Sequence, residues 1–174
     1  MIDANLYRKV VQTALTGSDP VDIPPMEATE LILKACALEN GDPTQICVTW
    51  RRESLFYLHP VGNPRSDGGC DVGCLQLATT YWNRAPYTQG LTNPFGTSWN
   101  NWAPFNGSPL DNLRLGFRVY KELIQRADKD RSVAAGLFRA GHIDETSNSA
   151  YQIRKAEFEG IATRYDAFFN LMKN

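Results

Sequence analysis

An all-α fold is what the 174-residue sequence predicts, on three observations. Apolar residues recur at helical spacing along most of the chain, Gly and Pro fall between those stretches, and helix-start signatures precede several of them. Leu6, Val10, Val11, Ala14 and Leu15 form the inward stripe of a first amphipathic helix, ended by Gly17-Ser18-Asp19-Pro20. Leu31, Ile32, Ala35 and Leu38 mark a second, stopped by Asn40-Gly41. Asp42-Pro43-Thr44-Gln45 then supplies an N-cap, a Pro at the first helical position and a capping-box Gln. The helix it opens runs through Ile46, Cys47 and Trp50 and gives out near Glu53 or Ser54. From Phe56 to Asp71 the spacing of Pro60, Gly62, Pro64, Gly68 and Gly69 predicts a loop, and a short helix is expected over Cys74 to Trp82. Residues 83–110 have no usable period; a loop of that length inside a domain is usually functional or mobile. Asp111 is placed to cap a fifth helix with Leu113, Phe117, Tyr120 and Leu123 inward. Asp130 is placed to cap a sixth through Val133, Leu137 and Phe138 to a Gly141 stop, and a last helix spans about Ala150 to Leu171. No repeat or linker divides the chain, so residues 1–174 are read as one domain.

Composition narrows the function. At 43% hydrophobic and 21% charged the chain buries a full core, which excludes a disordered segment. Eighteen Lys plus Arg against nineteen Asp plus Glu leave a net charge of −1, so no general attraction to nucleic acid is expected. No apolar run reaches the ~18 residues of a membrane span, and Met1-Ile2-Asp3-Ala4-Asn5 lacks the regions of a signal peptide, so a soluble chain is expected. His59 and His142 have no ligand-like spacing to the cysteines, so neither metal nor other cofactor is expected. Cys36, Cys47, Cys70 and Cys74 are read either as two local disulfides, Cys36 to Cys47 and Cys70 to Cys74, or as four reduced, packed thiols.

Glu53 is the residue best placed for chemistry. It ends an otherwise apolar helix, follows Arg51-Arg52 and opens into a Gly/Pro-rich loop, where a carboxyl can face a cleft. Partial burial there would favour the protonated form, able to donate to a leaving oxygen. The plainer reading is a surface Glu paired with a neighbouring Arg or Lys.

The order of further segments adds to this. Arg52-Glu53-Ser54 is followed by Ser66-Asp67-Gly68-Gly69, which leads into Gly73-Cys74-Leu75-Gln76-Leu77. Asn112-Leu113-Arg114-Leu115-Gly116, Ala135-Gly136-Leu137-Phe138-Arg139-Ala140-Gly141 and Tyr151 come after. In sequence and order these resemble the lytic transglycosylase and goose-type lysozyme superfamily, over roughly residues 28–165. The family pattern reads Glu-Ser, Gly-Leu-Met-Gln, Asn with a Gly four residues on, Ala-Tyr-Asn-Ala-Gly and a late Tyr. The resemblance implies a lysozyme-like helical domain with a long irregular loop over a glycan cleft. It implies cleavage of the β-1,4 bond between N-acetylmuramic acid and N-acetylglucosamine in peptidoglycan. Glu53 maps onto the single catalytic acid of a transglycosylase, which forms a 1,6-anhydro ring. Ser54 would orient the acid or sugar; Gly73, Leu75, Gln76, Phe138, Arg139 and Tyr151 map onto substrate-binding positions. The implied partner is the glycan strand, bound by a monomer in the cell envelope or delivered to the wall by a phage.

This sequence departs from the family in ways that bear on the site. Phe138-Arg139 replaces the family Tyr-Asn, removing a hydroxyl near the acid and adding a charge that would favour ionised Glu53. An inverting hydrolase, acting on peptidoglycan or chitin, needs a second carboxylate to position water. Asp67 and Asp71 are the candidates, against turn chemistry for Asp67 and an N-cap for Asp71. A catalytically weak glycan-binding or structural module is the reading from another class. Tyr81, Trp82, Tyr87, Phe95, Trp99, Trp102 and Phe105 could stack on sugars or anchor the long loop.

Overall fold

Asp3 opens helix α1 (Ala4–Ala14) by accepting from the Asn5 and Leu6 N–H groups, and Val10 and Leu15 turn its apolar stripe inward. The computed structural model describes residues 1–97, 104–140 and 149–173, the side chains of Arg139 and Ala140 excepted. Helix α2 (Met26–Glu39) ends at Asn40, whose left-handed φ of 49° stops it where the sequence places the break. Helix α3 (Pro43–Ser54) starts at Asp42, which accepts from the Thr44 N–H. Every residue of α3 from Pro43 to Trp50 is buried, so this helix runs through the interior and only its last turn emerges.

Helix α4 is short (Thr79–Trp82), α5 runs over Pro109–Arg126, α6 over Arg131–Ala140 and α7 over Ser149–Met172. Helix α7 packs against α1, α3 and α6, while α5 packs against α2, α3 and α6. Trp50, Phe117, Tyr165, Phe168 and Phe169 fill the centre without solvent exposure to speak of. Asp130 caps α6 through the Ser132 and Val133 N–H groups, as its position predicts. At α5 the expectation shifts by one turn: Ser108 is the cap, accepting from the Asp111 N–H, and Pro109 occupies the first position. The Asp111 carboxylate faces the long loop instead, accepting from the Thr92 N–H. The Gly141 stop lies outside the described residues.

The helical expectation thus holds in its coarse form, with one departure. The stretch read as a loop followed by a helix folds into a small antiparallel sheet of β1 (Asn63–Pro64), β2 (Cys70–Val72) and β3 (Leu77–Ala78), in that order. Asn63 pairs with Asp71, and Asp71 in turn with Ala78. Strands of two or three residues carry no period, and Cys74 to Gln76 form the turn between β2 and β3 rather than helix. Residues 83–97 and 104–108 stay irregular and are pinned onto α5: Arg118 donates to the Tyr87 and Gln89 carbonyls at 2.6 and 2.7 Å. Asn112 Nδ2 donates to the Pro94 carbonyl at 2.9 Å.

Candidate active site

Because α3 is buried to Trp50, its last turn delivers Arg51, Arg52 and Glu53 together to the surface, and each finds an opposite charge. Arg51 pairs with Asp22, Arg52 with Glu157 and Glu53 with Arg154. Leu55 and Phe56 then take left-handed φ values of 50° and 62°, turning the chain sharply toward the sheet. Ser54 Oγ donates to the Cys74 carbonyl at 2.7 Å and is buried. It therefore ties the β2–β3 turn to the end of α3, beside Glu53, rather than meeting a sugar itself.

The turn is held from below by Asn112. Its Oδ1 accepts from the Leu75 N–H at 3.2 Å, and the residue has no solvent exposure. Gly73 has φ +77°, and a Cβ there would run into the Asn112 side chain, so only glycine serves. A Cβ at Gly116 would collide with Leu75, and one at Gly136 with the Tyr151 ring. The scattered sequence segments are thus one packed unit. Two expectations change as a result. Leu75, fully buried against Gly116, is a core anchor and not a subsite wall, and Tyr151, 4% exposed, packs on α6.

A cavity of about 50 Å³ opens between the sheet and α6, lined by Glu53, Arg65, Asp71, Gln76, Trp82 and Phe138 among others. Gln76, itself at a left-handed φ of 48°, donates through Nε2 to the Gly73 carbonyl at 3.0 Å and accepts from Asn63 Nδ2 at 3.2 Å. Asp71 reaches the cavity from the central strand, so it is not the N-cap expected of it; Ala78 occupies the N-cap position of α4. Arg65 Nη1 donates to Asp71 Oδ1 at 3.0 Å. Asp67 does turn chemistry: its carboxylate accepts from the Gly69 N–H and Thr80 Oγ1, both at 3.0 Å, and from Arg65. The Gly69 bond leads in holding its carboxyl below the ordinary carboxylate value.

A second small cavity flanks Glu53 on the helical side, bordered by Thr49, Tyr120, Phe138, Arg154 and Glu157. Phe138 stacks on Tyr120 at 5.0 Å between centroids and 12° between planes. The Tyr120 hydroxyl bonds Thr49 Oγ1 at 2.6 Å, and burial pushes its pKa up. Sequence reasoning missed Arg154 and Tyr120 as site residues. Arg154 lies three residues past Tyr151 on one helix face, a spacing that could have flagged it. The Arg139 side chain, Trp99, Trp102 and His142 lie outside the described residues.

All four cysteines are free thiols, so the bridges Cys36 to Cys47 and Cys70 to Cys74 are not formed. Burial pushes each thiol up, Cys74 to about 12, which disfavours a nucleophilic thiolate near neutral pH. Among the described residues no three His, Cys, Asp or Glu are grouped to hold a metal ion, and no helix is long and apolar enough to cross a membrane. Of the loop aromatics, Phe95 and Phe105 are buried anchors, while Trp82 borders the Glu53 cavity. Comparison of the chain with protein-family models, with curated proteins and with solved structures finds no match.

Proposed function

We propose that the chain is a peptidoglycan-cleaving glycosidase of lysozyme-like fold, acting as a lytic transglycosylase with Glu53 as its one catalytic acid and base. The observation that carries this reading is the meeting of Glu53, Gln76 and Phe138, far apart in sequence, at one cavity between the sheet and α6. Glu53 gives its proton to the glycosidic oxygen as the bond from the muramoyl C1 breaks. The resulting carboxylate then takes the proton of the C6 hydroxyl as that oxygen bonds C1, closing the 1,6-anhydro ring and restoring the acid. No water is consumed. Gln76 and the backbone of the 73–76 turn hold the sugar, which places the substrate, and with it the protein's work, in the cell wall.

One observation favours a second reading. Asp71 lines the same cavity as Glu53, held there by Arg65, and a second carboxylate could activate water for an inverting hydrolysis. Both readings are tested on purified peptidoglycan with the protein and with Glu53→Gln. The expected result is solubilisation by the protein and a loss of about 10²-fold or more in the variant. Equal solubilisation, or none by either from acid to neutral pH, rejects the enzyme and leaves a glycan-binding or structural module. Mass spectrometry of the released fragments separates the mechanisms: anhydro ends support transglycosylation, reducing ends the Asp71 reading.

A further inference from the structure

Tyr120 borders not only the small cavity beside Glu53 but also a second one of about 430 Å³, which the proposed chemistry leaves unused. Its volume falls in the range of small-molecule sites. Phe117, Tyr120 and Ile124 of α5 supply apolar walls. The corner between α2 and α3 contributes Gln45, and here the local sequence signal fails in an informative way. Gln45 stands where a capping-box residue belongs, yet among the described residues its side chain makes no bond back to the Asp42 N–H. Instead its Nε2 is buried without a partner in a residue 4% exposed. A buried donor left unpaired costs about 1–3 kcal/mol, and because the atom is covered in the free protein the amide must swing toward the cavity to meet an acceptor there.

The charge on the same walls is one-sided. Lys121, Lys129 and Arg131 line the cavity against a single acid, Asp42. Arg131 is already taken: its Nε lies 2.8 Å from Asp42 Oδ2, and its Nη2 lies 2.8 Å from Asp166 Oδ1. Lys121 and Lys129 are exposed, and among the described residues neither forms an ion pair, which leaves two cations on these walls without a described acid partner. An apolar floor, two unspent ammonium groups and one orphaned amide donor together describe a receptor for an anion with an apolar body.

We propose that this cavity binds a small organic carboxylate, its apolar part against Phe117, Tyr120 and Ile124 and its oxygens shared between Lys121, Lys129 and the Gln45 amide. The site is separate from the glycosidase reading and stands if that reading fails. The test is an NMR titration of the full chain with millimolar benzoate, benzamide and benzylammonium, following the Gln45 side-chain amide and the Ile124 methyl groups. Benzoate is expected to move both sets of resonances saturably, with the neutral and cationic analogues clearly weaker. The Lys121→Glu/Lys129→Glu variant, altered only at exposed positions and checked for an unchanged amide spectrum elsewhere, is expected to bind benzoate about fivefold more weakly or worse. Benzylammonium binding as well as benzoate, benzoate leaving the Gln45 and Ile124 signals unmoved, or undiminished binding by the double variant would each overturn the proposal.

Discussion

Glu53 Oε1 lies 2.7 Å from Arg154 Nη2, and each side chain is only 15% exposed. The proposed acid is therefore held in an ion pair between the end of α3 and the first half of α7. Two influences oppose its charge: the carbonyl end of α3, where a helix disfavours an anion, and its low exposure. Arg154 opposes both, and a carboxylate cannot donate a proton. Arg154 also approaches Glu157, at 3.5 Å, so it has a second acid to lean on when Glu53 takes up a proton.

Replacing Arg154 by Met, which keeps the apolar stem and removes the charge, is expected to let Glu53 keep its proton to higher pH. The alkaline limb of the pH–activity profile on peptidoglycan should move to higher pH, since the cation that favours the carboxylate is gone. Measuring rate against pH for the protein and Arg154→Met decides it. A limb that stays in place would mean that the pair serves structure alone, and a limb that moves down would mean that Arg154 helps to deliver the proton.

Glu39 offers a stability prediction with a definite pH sign. Its side chain is 8% exposed and meets Arg114 Nε at 2.8 Å and Arg118 Nη2 at 2.9 Å. Burial pushes its carboxyl up, and the hydrogen bonds from Arg118 and Arg114 more than offset this, leaving it below the ordinary value of 4.5. A carboxylate with a lowered folded-state pKa contributes stability that is complete above the unfolded value and fades as pH falls past it. Glu39→Ala leaves two partly buried guanidinium groups short of their partner and is expected to cost about 3 kcal/mol at neutral pH. Urea unfolding at several pH values should show the gap to the unaltered protein narrowing below about pH 4.5. A gap that widens there would contradict the assignment.

What the sequence made legible follows from what leaves a local trace. The helices did: Asn40 stops α2 and Asp130 starts α6 by bonds that span a few residues. The sheet did not, because β1 and β3 are two residues each and their pairing depends on contacts such as Asn63 with Asp71. Of the residues that line the candidate cavity, Glu53 and Gln76 were legible as residue types at the edge of a break. Arg154, 101 residues from the carboxylate it pairs with, was not. Leu75 was misread because burial against a helix glycine and exposure in a cleft look alike in one dimension. The N-cap reading of Asp71 failed because strand and cap are indistinguishable where the strand is this short.

The contact between Gly116 and Leu75 turns the misreading of Leu75 into an experiment. Gly116 sits inside α5, where alanine would ordinarily gain about 1 kcal/mol of helix propensity. Here its Cβ would fall well inside contact distance of Leu75 Cδ1, with Ile46 Cδ1 at 3.2 Å behind it, and overpacking of a closed core costs about 1–3 kcal/mol. Leu75 belongs to the turn that carries Gln76, so pushing it outward should disturb the cavity beside Glu53 as well. Gly116→Ala is expected to lose about 1 kcal/mol of stability overall, and activity on peptidoglycan beyond what that loss explains. Leu75→Ala alone should cost about 2–5 kcal/mol through the void it leaves. In the double variant the new methyl enters that void, so the combined loss should fall short of the sum by about 1 kcal/mol, a coupling within the range of residues in contact. Denaturant unfolding of the four proteins gives the coupling directly. Strict additivity would show that Leu75 does not bear on Gly116, and a Gly116→Ala protein more stable than the parent would show that the core has room there.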